Sequence, residues 1–212
     1  MKYITVNILA EFCCLLIAIF TLRKDKIWRP QILYLFLIVL TELFGRFLTK
    51  GLLVANNSWL YNIFLIIELA FVGFMFYSLL KARTTLALPL LIALVLVFYL
   101  SYFYDLWLHG MMTFNTTCNA IISVCYAILA LFYFFVLIRG EDYVDILRFA
   151  PFWWVAGAMV YYFGSSACNL YFEVLVSFKD HSLRRYALMF LNVFLYTSWS
   201  YAFICQRWFT RI

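Results

Sequence analysis

ILYLFLIVLTELFGRFLTK, residues 32–50, decides how this chain is read. It opens on nine consecutive apolar residues and then sets Glu42 and Arg46 one helical turn apart. A helix needs about 20 predominantly apolar residues to cross the hydrocarbon core of a bilayer. An ionisable group near the middle of that core costs roughly 2.5–3.5 kcal/mol on insertion scales, so such groups turn inward and find partners. Residues at i and i+4 share a helix face. The stretch therefore predicts a membrane-spanning helix that turns a charged face toward other helices.

The rest of the chain fits that reading. Of its 212 residues 67% are hydrophobic and 12% charged, with mean hydropathy +0.96, whereas a soluble domain is roughly 45–50% apolar and about 25% charged. Breaking the sequence at charge clusters and turn residues gives seven apolar runs, near 3–22, 31–49, 59–80, 85–104, 113–138, 150–174 and 185–206. The expected fold is an all-α, polytopic bundle of seven transmembrane helices, with residues 1–212 forming a single domain. Glu11 and the following IFTLRKDK argue that the first run is a retained helix and not a cleaved signal. Pro30 and Pro151 fall in the first turns of the second and sixth helices, where a missing N–H is tolerated. Tryptophans favour membrane interfaces, and of those in this chain only Trp199 falls in the middle of a predicted span.

Orientation is read from the loop cations. Arg23, Lys24, Lys26, Arg29, Lys81, Arg83, Arg139, Arg148, Arg207 and Arg211 fall on one side; Lys2, Lys50, Lys179, Arg184 and Arg185 fall on the other. The richer side is expected in the cytoplasm, which places the N-terminus outside and the C-terminus inside. The net charge of +6 then reflects topology and contact with the lipid bilayer. The cytoplasmic segments are too short for a nucleic-acid module, a kinase or a cyclase, so no nucleic-acid partner is expected. Any signal must leave through a membrane or cytoplasmic protein partner or through a second copy of the chain.

With that orientation the polar residues acquire depths. Asn7 and Glu11 share a face of the first helix, Glu42 and Arg46 of the second, Asn115, Asn119 and Ser123 of the fifth, Ser165, Asn169 and Glu173 of the sixth, and Asn192, Tyr196 and Ser200 of the seventh. The third adds Tyr61, Asn62 and Glu68, and the fourth contributes almost nothing. Nearly all lie in the outer half of the membrane, with Glu68, Asn192 and Tyr196 toward its middle. The expected ligand-binding set is Glu42, Arg46, Glu68, Glu11, Asn62, Asn115, Asn119, Asn169, Glu173, Asn192 and Tyr196. It describes an outward-facing polar pocket with aromatic lining for a small amphiphilic or polar ligand. The competing reading is that each of these residues makes an interhelical hydrogen bond, worth about 0.6 kcal/mol on average.

Several chemistries find no support. A zinc hydrolase needs about three protein ligands, and the two histidines, His109 and His181, fall near the outer loops. A nucleophile needs a base within reach, and YFGSSACN (162–169) has serines without a mid-membrane His or Lys. A retinal protein needs a lysine in the last helix, which has none. The six cysteines show no CxxC spacing and read as apolar packing residues. No cofactor, metal or catalytic residue is expected.

LYNIFLIIELAF (60–71) together with FWWVAGAMVYYFG (152–164) resembles a group of small seven-helix bacterial inner-membrane proteins with no assigned activity. The resemblance implies a multi-pass protein of the bacterial inner membrane and transfers no functional residue. The leading functional expectation is a non-enzymatic sensor or accessory module whose pocket is read by a partner. The alternatives are a small-solute or proton-coupled transporter and an intramembrane lipid-modifying enzyme.

Overall fold

A helix in lipid must satisfy every backbone group within itself, and the long apolar runs do so. The computed structural model describes residues 5–53, 56–140, 145–174 and 181–209, with side chains described except at 170–174 and 181–183. Seven α-helices account for most of them: α1 Val6–Thr21, α2 Pro30–Arg46, α3 Ser58–Lys81, α4 Ala87–His109, α5 Thr116–Arg139, α6 Ala150–Val174 and α7 His181–Trp208. No strand occurs among the described residues. Five helices are long and apolar enough to cross a membrane: α2 with its continuation to Gly51, α3, α4, α5, and α7 from Arg184 onward. This is the chemistry of a helical membrane protein. Helix α1 is a shorter apolar helix of 16 residues, about 24 Å at 1.5 Å per residue. Helix α6 dilutes its apolar residues with Gly157, Gly164, Ser165 and Ser166.

Each helix packs on the next, and α7 closes onto α1. Helix α3 also touches α5 directly, so α4 lies outside that contact. Its outer face, including Leu96, Leu100, Phe103 and Trp107, is exposed, as expected of side chains that meet lipid.

Helices α6 and α7 approach each other closely at two glycines. A Cβ on Gly157 would fall 2.8 Å from the Cβ of Ser198, and one on Gly164 would fall 2.7 Å from Cδ2 of Leu191. Small residues at membrane helix interfaces let backbones approach in this way. The two glycines differ in what they meet. Leu191 can rotate its flexible end away, whereas the Ser198 Cβ is fixed to its backbone. Gly157→Ala is expected to lower stability by about 1–3 kcal/mol through overpacking. Gly164→Ala is expected to be near neutral, because helix propensity returns about 1 kcal/mol. Thermal unfolding of the two variants in detergent checks the difference.

Two boundaries depart from the sequence reading. Asp105 ends the fourth apolar run on paper, yet α4 continues to His109 because Asp105 is fully buried and its Oδ2 accepts the backbone N–H of Cys118 at 2.8 Å. A carboxylate from one helix thus caps the N-terminus of another, where the helix dipole favours negative charge. Helix α4, expected to contribute almost nothing polar, supplies this cap. It also supplies the Tyr102 hydroxyl, which donates to the Asn62 carbonyl at 3.3 Å. Helix α2 meanwhile ends in a π-helical turn, Phe47–Gly51, where the Leu52 N–H reaches back to the Phe47 carbonyl at 3.0 Å.

Candidate ligand pocket

Three glutamates from three helices line one cavity of about 210 Å³: Glu11 of α1, Glu42 of α2 and Glu68 of α3. The lining is drawn from α1, α2, α3, α5, α6 and α7, plus Phe114 from the α4–α5 connection, and none of it from α4. Along α2 it runs from Glu42 down to Tyr34, eight residues or about 12 Å of helix. The cavity therefore begins near the end of the bundle where α1, α3, α5 and α7 start and reaches the bundle's middle.

Its floor and walls are aromatic. Tyr34 is stacked near Phe64 and Phe71, with ring centroids 6.2 and 5.3 Å away, and is tilted toward Trp199 at 6.2 Å. Tyr196 meets Trp199 edge-on at 6.1 Å. Below the cavity, Trp199 lies parallel to Trp154, with centroids 5.4 Å apart and planes 4° apart. The Trp199 Nε1–H donates to the Trp154 carbonyl at 3.1 Å, so the mid-span tryptophan of the sequence reading is held by both its ring and its N–H.

The carboxylates are held in three ways. At the deep end, Glu68 Oε1 accepts the Tyr162 hydroxyl at 2.6 Å. Glu11 is 3% exposed and its Oε2 has no hydrogen-bond partner among the described residues. Nearer the mouth, Glu42 lies 3.7 Å from Arg46 Nε, their side chains 31% and 21% exposed. That separation marks a loose pair, and partly exposed ion pairs are worth about 0–1 kcal/mol. Exchanging the two charges (Glu42→Arg with Arg46→Glu) is expected to change stability by less than about 1 kcal/mol. A much larger loss in thermal unfolding would mean that the pair is structural.

Of the eleven residues expected to bind a ligand, the cavity brings together Glu11, Glu42, Glu68, Asn119, Asn192 and Tyr196. The others go elsewhere for identifiable reasons. Arg46 stands one turn beyond Glu42, outside the lining. Asn62 is fully buried and spent on the α4–α5 connection. Its Nδ2 donates to the carbonyls of Met111 and Thr113 at 3.0 and 2.8 Å, and its Oδ1 accepts the Asn115 N–H at 3.0 Å. Asn115 is the residue preceding α5 and belongs to the same clamp. Asn169 is half-buried outside the lining, where its Oδ1 accepts from Arg184 at 3.0 Å. The side chain of Glu173 lies outside the described residues.

Residues absent from that expected set are mostly aromatic: Tyr34, Tyr61, Phe64, Tyr161, Tyr162 and Trp199. In a chain with 24 Phe and 16 Tyr an aromatic side chain carries little positional signal unless, like Tyr61 and Tyr196, it shares a helix face with polar residues or, like Trp199, is an isolated mid-span tryptophan. Tyr61 is seated by Gly45, since a Cβ there would fall 2.8 Å from its hydroxyl. A second cavity, of about 710 Å³, lies at the opposite end of the bundle between Lys24, Lys26, Trp28, Arg83, Phe149 and Arg207. Compared with protein-family models, with curated proteins and with solved structures, the chain matches none.

Proposed function

We propose that this protein is a non-enzymatic, ligand-responsive membrane module whose pocket occupancy is read by a partner protein or a second copy of the chain. The observation that carries the reading is the convergence of three glutamates from three helices on a cavity walled by six helices. A ligand held there bridges walls from six helices, so it favours whichever helix packing fits it best. That differential contact is what a ligand needs to shift a conformational equilibrium. The reading takes α1 and α6 as spans too, since α1 is packed between α2 and α7, and α6 between α5 and α7. The bias of loop cations supports a pocket that faces outward. The resemblance of residues 60–71 and 152–164 favours the bacterial inner membrane as the location.

The test is a native mass-spectrometric and lipidomic survey of the protein purified in mild detergent, beside a Glu11→Gln/Glu68→Gln variant. A specific small molecule retained by the wild type and lost by the variant supports a ligand pocket. Bulk lipid alone on both, with equal thermal stability, returns the glutamates to interhelical contacts and overturns the reading.

One observation favours transport as a second reading. The two cavities open from opposite ends of the bundle and are separated by buried apolar residues, among them Cys14, Ala18, Val72, Trp154, Ala158 and Ala202. A transporter must open this partition during its cycle. Cys14 can report it in a variant lacking the other five cysteines. Labelling by a charged thiol reagent that rises with added substrate supports transport. Cys14 that stays protected from both sides under every solute supports the sensor.

A further inference from the structure

We infer that the pocket takes a small organic cation, an ammonium group on an apolar body; this rests on the ligand-binding reading above. The lining carries Glu11, Glu42 and Glu68 and includes no Lys, Arg or His. The neighbouring cation, Arg46, sits outside the lining at 3.7 Å from Glu42 and offsets one carboxylate at most. A buried carboxyl either takes up a proton or finds a positive partner; a cation in the pocket is that partner for two of the three carboxyls, whereas an anionic ligand finds no cation in the lining.

Hydrogen-bonding capacity agrees. Glu11 Oε2 is a buried acceptor without a donor among the described residues, and an alkylammonium is donor-rich with no acceptor of its own. The walls agree as well. The rings of Tyr34, Phe64, Tyr161, Tyr162, Tyr196 and Trp199 surround the same space, and aromatic faces attract cations within about 6 Å, most strongly when water is excluded. Among the described residues no three His, Cys, Asp or Glu are gathered closely enough to hold a metal ion. Carboxylates spread around a cavity suit a broad organic cation better than a compact metal. Its volume of about 210 Å³ equals that of roughly seven waters at about 30 Å³ each, which limits the ligand to roughly ten heavy atoms at interior packing density.

Three probes of nearly equal shape separate charge from size: choline, 3,3-dimethyl-1-butanol as its neutral isostere and 3,3-dimethylbutyrate as an anion, with n-butylammonium as a primary amine. They are titrated calorimetrically into the purified full-length protein in detergent. At least one of the two cations is expected to bind tenfold or more tightly than the alcohol, with no binding of the carboxylate. Glu68→Gln is expected to weaken that cation about ten- to a hundredfold, through loss of a charge-assisted hydrogen bond for n-butylammonium and of the facing negative charge for choline, whose nitrogen has no N–H to donate. Glu11→Gln serves the same purpose if Glu68→Gln does not fold. Arg46→Gln is expected to act oppositely and tighten the cation, because it removes a competing positive charge. Equal or tighter binding of the alcohol or the carboxylate overturns the cation assignment and leaves the pocket itself standing. Failure of both cations to bind also overturns it. The mass-spectrometric survey of retained molecules then judges the broader reading separately.

Discussion

Trp154→Ala is expected to lower stability by about 3–5 kcal/mol, the upper range for a single core substitution, because truncating a buried aromatic leaves a cavity that the core only partly refills. Trp154 is fully buried. It stacks on Trp199 and meets Phe76 edge-on, with centroids 5.3 Å apart. Its Nε1–H has no hydrogen-bond partner among the described residues, so packing and not hydrogen bonding is what its side chain supplies. Trp154→Phe should therefore recover much of the loss, since it restores most of the ring without the indole N–H. Thermal unfolding in detergent, followed by light scattering to avoid the altered tryptophan signal, checks both. Recovery in Trp154→Phe no better than in Trp154→Ala would mean that the indole makes a specific contact.

Asn62→Ala is expected to lower stability by about 2–3 kcal/mol, well above the roughly 0.6 kcal/mol average of a polar contact between membrane helices. Its one side chain makes three hydrogen bonds to backbone groups of the α4–α5 connection. Losing it leaves two carbonyls and one N–H near α5's start without that partner, and buried groups left unsatisfied cost about 1–3 kcal/mol each before relaxation. The loop can relax toward solvent, which keeps the loss below the full sum. Asn62→Asp should do no better than Asn62→Ala, because it keeps the acceptor for Asn115 but turns a second carboxyl oxygen toward the carbonyls of Met111 and Thr113 at a fully buried position. Because Phe114 of this loop lines the pocket, Asn62→Ala should also weaken any ligand. A loss of stability indistinguishable from that of a surface asparagine would show that the clamp is dispensable.

The helices of this chain are legible in its sequence because lipid leaves the backbone little choice. Pro30 and Pro151, in the first turns of α2 and α6, mark boundaries that composition alone suggests. Asp105 is the instructive exception. An acid near the end of an apolar run reads as the edge of the membrane, whereas here it turns inward to the first turn of α5 and lets α4 continue.

The pocket is legible to a lesser degree. Glu11, Glu42 and Glu68 stand out because carboxylates are costly at membrane depth, and their spacing places them on inward faces. Sequence spacing cannot separate a polar residue that lines a space from one that fills it. Asn62 and Asn119 look alike on paper, each early in its helix, Asn62 beside the polar i, i+7 pair of Tyr61 and Glu68 and Asn119 within the i, i+4 series of Asn115 and Ser123. Only the path of the 110–115 connection, which Asn62 holds, tells them apart. Arg46 fails for a geometric reason. One turn beyond Glu42 on the same face carries it past the cavity.

The tandem of Trp199 and Trp154 is also an optical device. Two indoles held parallel at 5.4 Å are close enough for their excited states to couple, and one of them forms part of the pocket wall. A ligand that nudges Trp199 changes that coupling, so near-ultraviolet circular dichroism can register occupancy in unlabelled protein. The other five tryptophans contribute a background that Trp199→Phe leaves in place. The molecule thereby carries its own probe, and candidate solutes can be screened by their spectra before any is known by name.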